Sequence, residues 1–195
     1  MIPAGYLLKR TVPPPGWLKP NTSHITEVCS VSNCVNDNVV EPQDSWKHNG
    51  FGVANNPQVL WGIAQEGAVE LSGSKLYFYC AYEHELESDG WTFDSDLWRP
   101  ISPAASAGVS NEVIVPNGSE SGTLLGYDVV VFGDYLEHSP LSCNSIASEL
   151  PVNRYCLFDD LEEAKEAIEN GKFGGGCEDG VYKIFSVSLI RGTDP

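Results

Sequence analysis

Residues 79–100, YCAYEHELESDGWTFDSDLWRP, carry six carboxylates, one histidine and two tryptophans, with Arg99 as the single cation. Carboxylates and imidazoles bind metals and move protons, so metal and acid–base chemistry come first. A zinc site needs histidine and cysteine ligands converging from several elements, and His84 is the only histidine here. On a continuing strand Glu83, Glu85, Glu87 and Asp89 point to one side and His84 to the other. Asp94 and Asp96 look like a fragment of a calcium loop. A loop starting at Asp94, however, has Arg99 and Ala105 where glycine and the closing glutamate belong. No metal is expected in this stretch.

A second candidate is HSPLSCNSIAS, where Cys143 lies close to His138, Ser142 and Asn144. A nucleophilic thiolate needs a helix N-terminus or a cation to lower its pKa. Asp134, Glu137 and Glu149 do the opposite. The stretch reads as a turn that returns the chain to its core. The alternative readings are a cysteine-dependent hydrolase or transferase using Cys143 and His138, or a non-enzymatic module binding a basic peptide. FGGGCEDG, residues 173–180, is glycine-rich but follows a helix and lacks the lysine of a phosphate loop; Glu178 and Asp179 would repel phosphate. The six cysteines contain no CxxC, and the nearest pair is Cys29 and Cys34. The N-terminal order of apolar residues, cations and prolines does not match a secretory signal. Reduced, buried thiols are therefore expected. No catalytic residue, metal or cofactor is assigned.

The elements that must position these residues are legible from pattern. ANNPQVLWGIAQEG reads as a short helix, with Asn56 as cap, Pro57 in the first position and Gly67 at the end. FDDLEEAKEAIENGKF is the strongest helix, capped by Asp160 with Glu163, stopped at Gly171, and apolar along Leu161, Ala164 and Ile168. Residues 74–83, 124–135 and 179–190 read as strands, 112–115 as a short strand, and 25–31 as β-prone. Residues 11–21, TVPPPGWLKPN, read as an extended strap packed through Trp17 and Leu18. No internal repeat stands out. The fitting class is α+β, a mostly antiparallel sheet with two or more short helices and long loops. The 195 residues suit a single domain over 1–195, with room for two lobes divided at a flexible boundary near 101–123.

The formal net charge is −16, unevenly spread. Residues 51–100 set eight acids against Lys75 and Arg99, and residues 101–150 set six acids against no base. Such a field repels nucleic acid and anionic membrane, and draws in cationic partners. No apolar run approaches a membrane span. The acidic, aromatic-flanked surface of Glu83, Glu85, Glu87, Asp89, Trp91, Asp94, Asp96 and Trp98 is thus the expected partner-binding site. Carboxylates there would set the association rate and tryptophans would supply anchors.

Several stretches together resemble a family of small cytoplasmic proteobacterial proteins encoded beside toxins or type VI secretion effectors. They are IPAGYLLKRTVPPPGWL, CSVSNCV, SWKHNGF, SPLSCNSIA and VNRYCLFDDLEEAKEAIENGKF. The resemblance implies a cytoplasmic immunity protein, not an enzyme, that binds and inhibits a cognate toxin; the acidic surface adds the expectation that the toxin has a basic active-site cleft. It assigns no functional residue, and residues 83–98 fall outside the matching stretches.

Overall fold

The computed structural model describes residues 1–18, 22–41, 51–82, 87–88, 91–92, 113–117, 122–132, 136–174 and 181–190. Five strands form one antiparallel sheet: β1 (Ile2–Arg10), β2 (Ser74–Tyr82), β5 (Thr123–Phe132), β6 (Leu136–His138) and β7 (Val181–Leu189), in the order β1-β2-β7-β5-β6. Two-residue strands β3 (Glu87–Ser88) and β4 (Trp91–Thr92) pair separately. The helices are α1 (Pro57–Glu66), the single turn α2 (Pro140–Cys143) and α3 (Leu161–Glu169), with a 3₁₀ turn at Ile146–Ser148. The chain is α+β with a mostly antiparallel sheet, as expected.

Both main helices start where the sequence places them. The Asn56 side chain accepts from the Gln58 amide at 2.9 Å, and Asp160 accepts from the Glu163 amide at 2.9 Å. Each bond satisfies an amide that the first helical turn leaves without a partner.

The two sides of the sheet are covered differently. On β2, Leu76 and Phe78 pack with Tyr6, Leu8 and the α1 residues Leu60 and Ala64. The alternate residues Tyr77, Tyr79 and Ala81 belong to the other cluster. α3 shares the α1 side: Lys165 lies 4.5 Å from the centre of the Tyr82 ring, and Tyr82 pairs with Ile184. The opposite side is covered by loop segments, with Cys29 beside Tyr77 and Phe51 edge-on to Phe185.

The sheet also shows a duplication that no sequence repeat announces. β1, α1 and β2 form one unit; β5, α3 and β7 form another; β2 and β7 meet at the centre. In each unit the outer strand bulges at a Gly-Tyr pair, Gly5-Tyr6 and Gly126-Tyr127. Each tyrosine then bridges to a loop just before a helix cap, at Ala54 and at Phe158. Glycine is required at both bulges. Gly5 has φ +131° and Gly126 has φ +147°, and a Cβ would run into the Ala54 and Phe158 carbonyl oxygens.

Three expectations need correction. Residues 113–117 form no strand; the segment is held by Tyr6 Oη donating to the Ile114 carbonyl at 2.6 Å and by the Ile114 amide donating to Asn55. The β-prone run 25–31 makes only an isolated bridge, Val28 with Val12. Trp17 is 53% exposed rather than packed, although Leu18 is buried. The proposed lobe boundary near 101–123 lies largely outside the described residues.

Candidate functional site

The most structured polar cluster sits on the loop-covered side. Lys9 of β1 has no exposed surface. Its ammonium donates to three carbonyls, Ser30 at 2.9 Å, Val31 at 2.6 Å and Ser32 at 2.6 Å. Three donors meet three acceptors, which curls residues 30–32 around one cation. Asp128 of β5 is equally buried, and its Oδ2 accepts from the Val31 amide at 2.8 Å and the Ser139 hydroxyl at 2.6 Å. Its Oδ1 is buried with no hydrogen-bond partner among the described residues.

Burial perturbs both charges. It pulls the Lys9 ammonium from 10.5 to about 7, and attraction to Asp128 opposes that fall. It pushes the Asp128 carboxyl from 3.8 up to about 6, against the hydrogen bonds from Ser139 and Val31.

Ser139 passes the order outward. Its hydroxyl is committed to Asp128, so it does not cap α2 through its side chain. Ser32 and Ser139 bond reciprocally: the Ser32 amide donates to Ser139 Oγ at 3.2 Å, and the Ser139 amide to Ser32 Oγ at 3.1 Å. The Cys143 amide donates to the Ser139 carbonyl at 2.9 Å, closing the single turn that presents Cys143.

Here the expected state of the thiols is corrected. Cys34 and Cys143 are not buried reduced thiols; they form a disulfide between Cα atoms 5.8 Å apart. His138 Nδ1 lies 3.1 Å from the Cys34 sulfur, and Ser32 Oγ lies 3.4 Å from Cys34 and 3.5 Å from Cys143. Cys34 is exposed, while His138 and Cys143 are half-buried. Cys29 and Cys156 do match the expectation of buried thiols. Burial pushes Cys29 up to about 12 and Cys156 higher still, so neither is a nucleophile at neutral pH.

The alternative reading joined His138 to Cys143. The structure adds Cys34, which contacts the imidazole and is 109 residues away from Cys143 in sequence. No local spacing announces that meeting. The signal available was a histidine and a cysteine at the two ends of HSPLSC, together with the unexplained Cys34.

The acidic stretch is described only in part. β2 ends at Tyr82, and Glu87 belongs to the separate β3–β4 ladder, where Glu87 faces Thr92 and Ser88 faces Trp91. The expected alternation of the acids along a continued strand falls mostly outside the described residues. Glu83, Glu85, Asp89, Asp94, Asp96 and Trp98 lie outside the described residues.

Comparison of the chain with protein-family models, curated proteins and solved structures finds no match. No helix among the described residues is long and apolar enough to cross a membrane.

Proposed function

We propose that this protein is a cytoplasmic immunity protein that binds a basic protein toxin and blocks its active-site cleft. The observation that carries this reading is where the cations go. Lys9 and Lys183 have no exposed surface, Lys75 is paired with Glu27, and Lys165 is paired with Glu162 at 2.6 Å. Among the described residues, two buried lysines stand against one buried acid, Asp128. The exterior is thereby left at least as negative as the formal count of −16 suggests. An excess of acids concentrated in residues 51–150 suits a partner whose cleft binds phosphates, because carboxylates can occupy the same positive potential.

The test is co-purification with the product of the adjacent gene at low and high salt. A complex is expected, weakening as salt rises; no complex at either salt would overturn the reading. Within that complex, reversing charge at Glu85, Glu87 and Asp89 should slow association at least tenfold and flatten its salt dependence. An unchanged rate would place the interface elsewhere.

A further inference from the structure

We propose that Cys34, His138 and Cys143 form a zinc site once the Cys34–Cys143 disulfide is reduced. Three observations carry this. First, the ligands converge: one atom from each of the three residues lies within 4.8 Å of the others. Two thiolates and an imidazole are a borderline-soft donor set of the kind zinc prefers, and Cys34 is exposed, so water can take the fourth position.

Second, the ligands are held in place by bonds that do not depend on the sulfur–sulfur bond. The Cys34 loop is fixed by Lys9 on three successive carbonyls and by Asp128 on the Val31 amide. The Cys143 turn is fixed by Ser139, which is itself bonded to Asp128 and Ser32. Reduction therefore leaves two thiols facing each other instead of releasing two loops. Moving from a disulfide to tetrahedral zinc separates the sulfurs to about 3.8 Å, given zinc–sulfur bonds of about 2.3 Å. A Cα separation of 5.8 Å accommodates both states.

Third, the surroundings suit a thiolate pair. Ser32 Oγ lies beside both sulfurs, at 3.4 Å and 3.5 Å, where a hydroxyl can donate to either. Outer hydrogen bonds of this kind orient ligands and tune a metal.

The electrons balance through thiol exchange. A cellular thiol attacks the exposed Cys34 sulfur, and a second thiol resolves the mixed disulfide. The products are two cysteine thiols and one oxidised thiol pair. Zinc binding then releases the two thiol protons. The site is thus loaded in a reducing compartment; exchange with an oxidised thiol pair, which takes up the two electrons and is released as two thiols, re-forms the disulfide and expels the metal.

The experiment compares the oxidised full chain with the same protein reduced by a phosphine and kept free of oxygen. Each is titrated with Co²⁺ and then Zn²⁺, under circular dichroism to confirm folding. The reduced protein is expected to bind one equivalent of cobalt with thiolate-to-cobalt charge transfer and the intense visible bands of tetrahedral Co²⁺, and zinc should displace it. The oxidised protein should show neither signal. Cys34→Ser and Cys143→Ser should each weaken binding at least 100-fold, His138→Gln at least tenfold, and Cys80→Ser should leave it unchanged. Equal binding by oxidised protein, binding that survives loss of Cys34 or Cys143, or no binding by folded reduced protein would each overturn the proposal. So would a disulfide that yields to the phosphine only on unfolding. The oxidised–reduced comparison needs no variant, so a misfolded variant does not blunt the test.

Discussion

Lys9 illustrates how one residue can organise a region. In sequence it is one of two adjacent cations ending an apolar run. In the fold it is fully buried and gathers three carbonyls, while Arg10 beside it reaches out to the Glu70 carbonyl. Its lowered pKa has a consequence for stability. Between about pH 7 and 10.5 the unfolded chain keeps a proton on Lys9 that the folded chain has released. Stability from this group therefore rises with pH across that window, by at most about 5 kcal/mol. Asp128 acts in the other direction: its raised pKa makes stability fall between 3.8 and about 6. Chemical denaturation of the parent protein and Lys9→Met across pH 6–10 checks the first claim. Lys9→Met should cost about 3 kcal/mol or more at pH 7, because three buried carbonyls lose their donor. The rise above pH 7 should vanish in the variant; an identical slope in both proteins would refute the assignment.

At the scale of elements, the duplicated units depend on two glycines for a geometric reason. Each outer strand must bulge so that its tyrosine reaches the loop ahead of a helix cap. At Gly126 the backbone lies at φ +147°, and a Cβ would meet the Phe158 carbonyl oxygen. Gly126→Ala should destabilise the protein by at least about 2 kcal/mol, through backbone strain and loss of the Tyr127–Phe158 bridge. Gly62 is the contrasting case. It lies inside α1, and a Cβ there meets nothing within 4 Å. Gly62→Ala should stabilise by about 0.5–1 kcal/mol, because alanine loses less freedom in a helix. Paired urea melts decide both, and a change of the same sign in the two variants would contradict this account. The helices themselves were readable from capping and periodicity: α1 begins at Pro57 after Asn56, and α3 at Leu161 after Asp160. The duplication was not. It is carried by strand pairing between distant segments, from Phe132 with Val181 to Ile2 with Ala81, and it asks of the sequence only a Gly-Tyr, a cap and a following glycine.

For the whole molecule, charge is the governing property. The chain sets 11 cations against 27 acids, and Lys9 and Lys183 are buried, so acids outnumber the remaining cations about threefold. Self-repulsion of like charges opposes compactness and is screened by salt. Thermal melts at low and high sodium chloride should show a melting temperature that rises by a few degrees with ionic strength. A falling value would mean that exposed ion pairs, such as Lys75 with Glu27, outweigh the repulsion.

Composition and local pattern determined by themselves the α+β class, the two main helices with their caps, the central strands and the acidic balance, because each depends on neighbours in the chain. Tertiary structure alone decided which polar residues meet. Cys34 and Cys143 are 109 positions apart, and Lys9 and Asp128 lie on β1 and β5, far apart in the chain, so no periodicity links them. Their meeting follows from sheet order and from loops packed on one side of the sheet. These long-range contacts are fixed by burial and hydrogen-bond satisfaction, which short spacing in sequence does not encode.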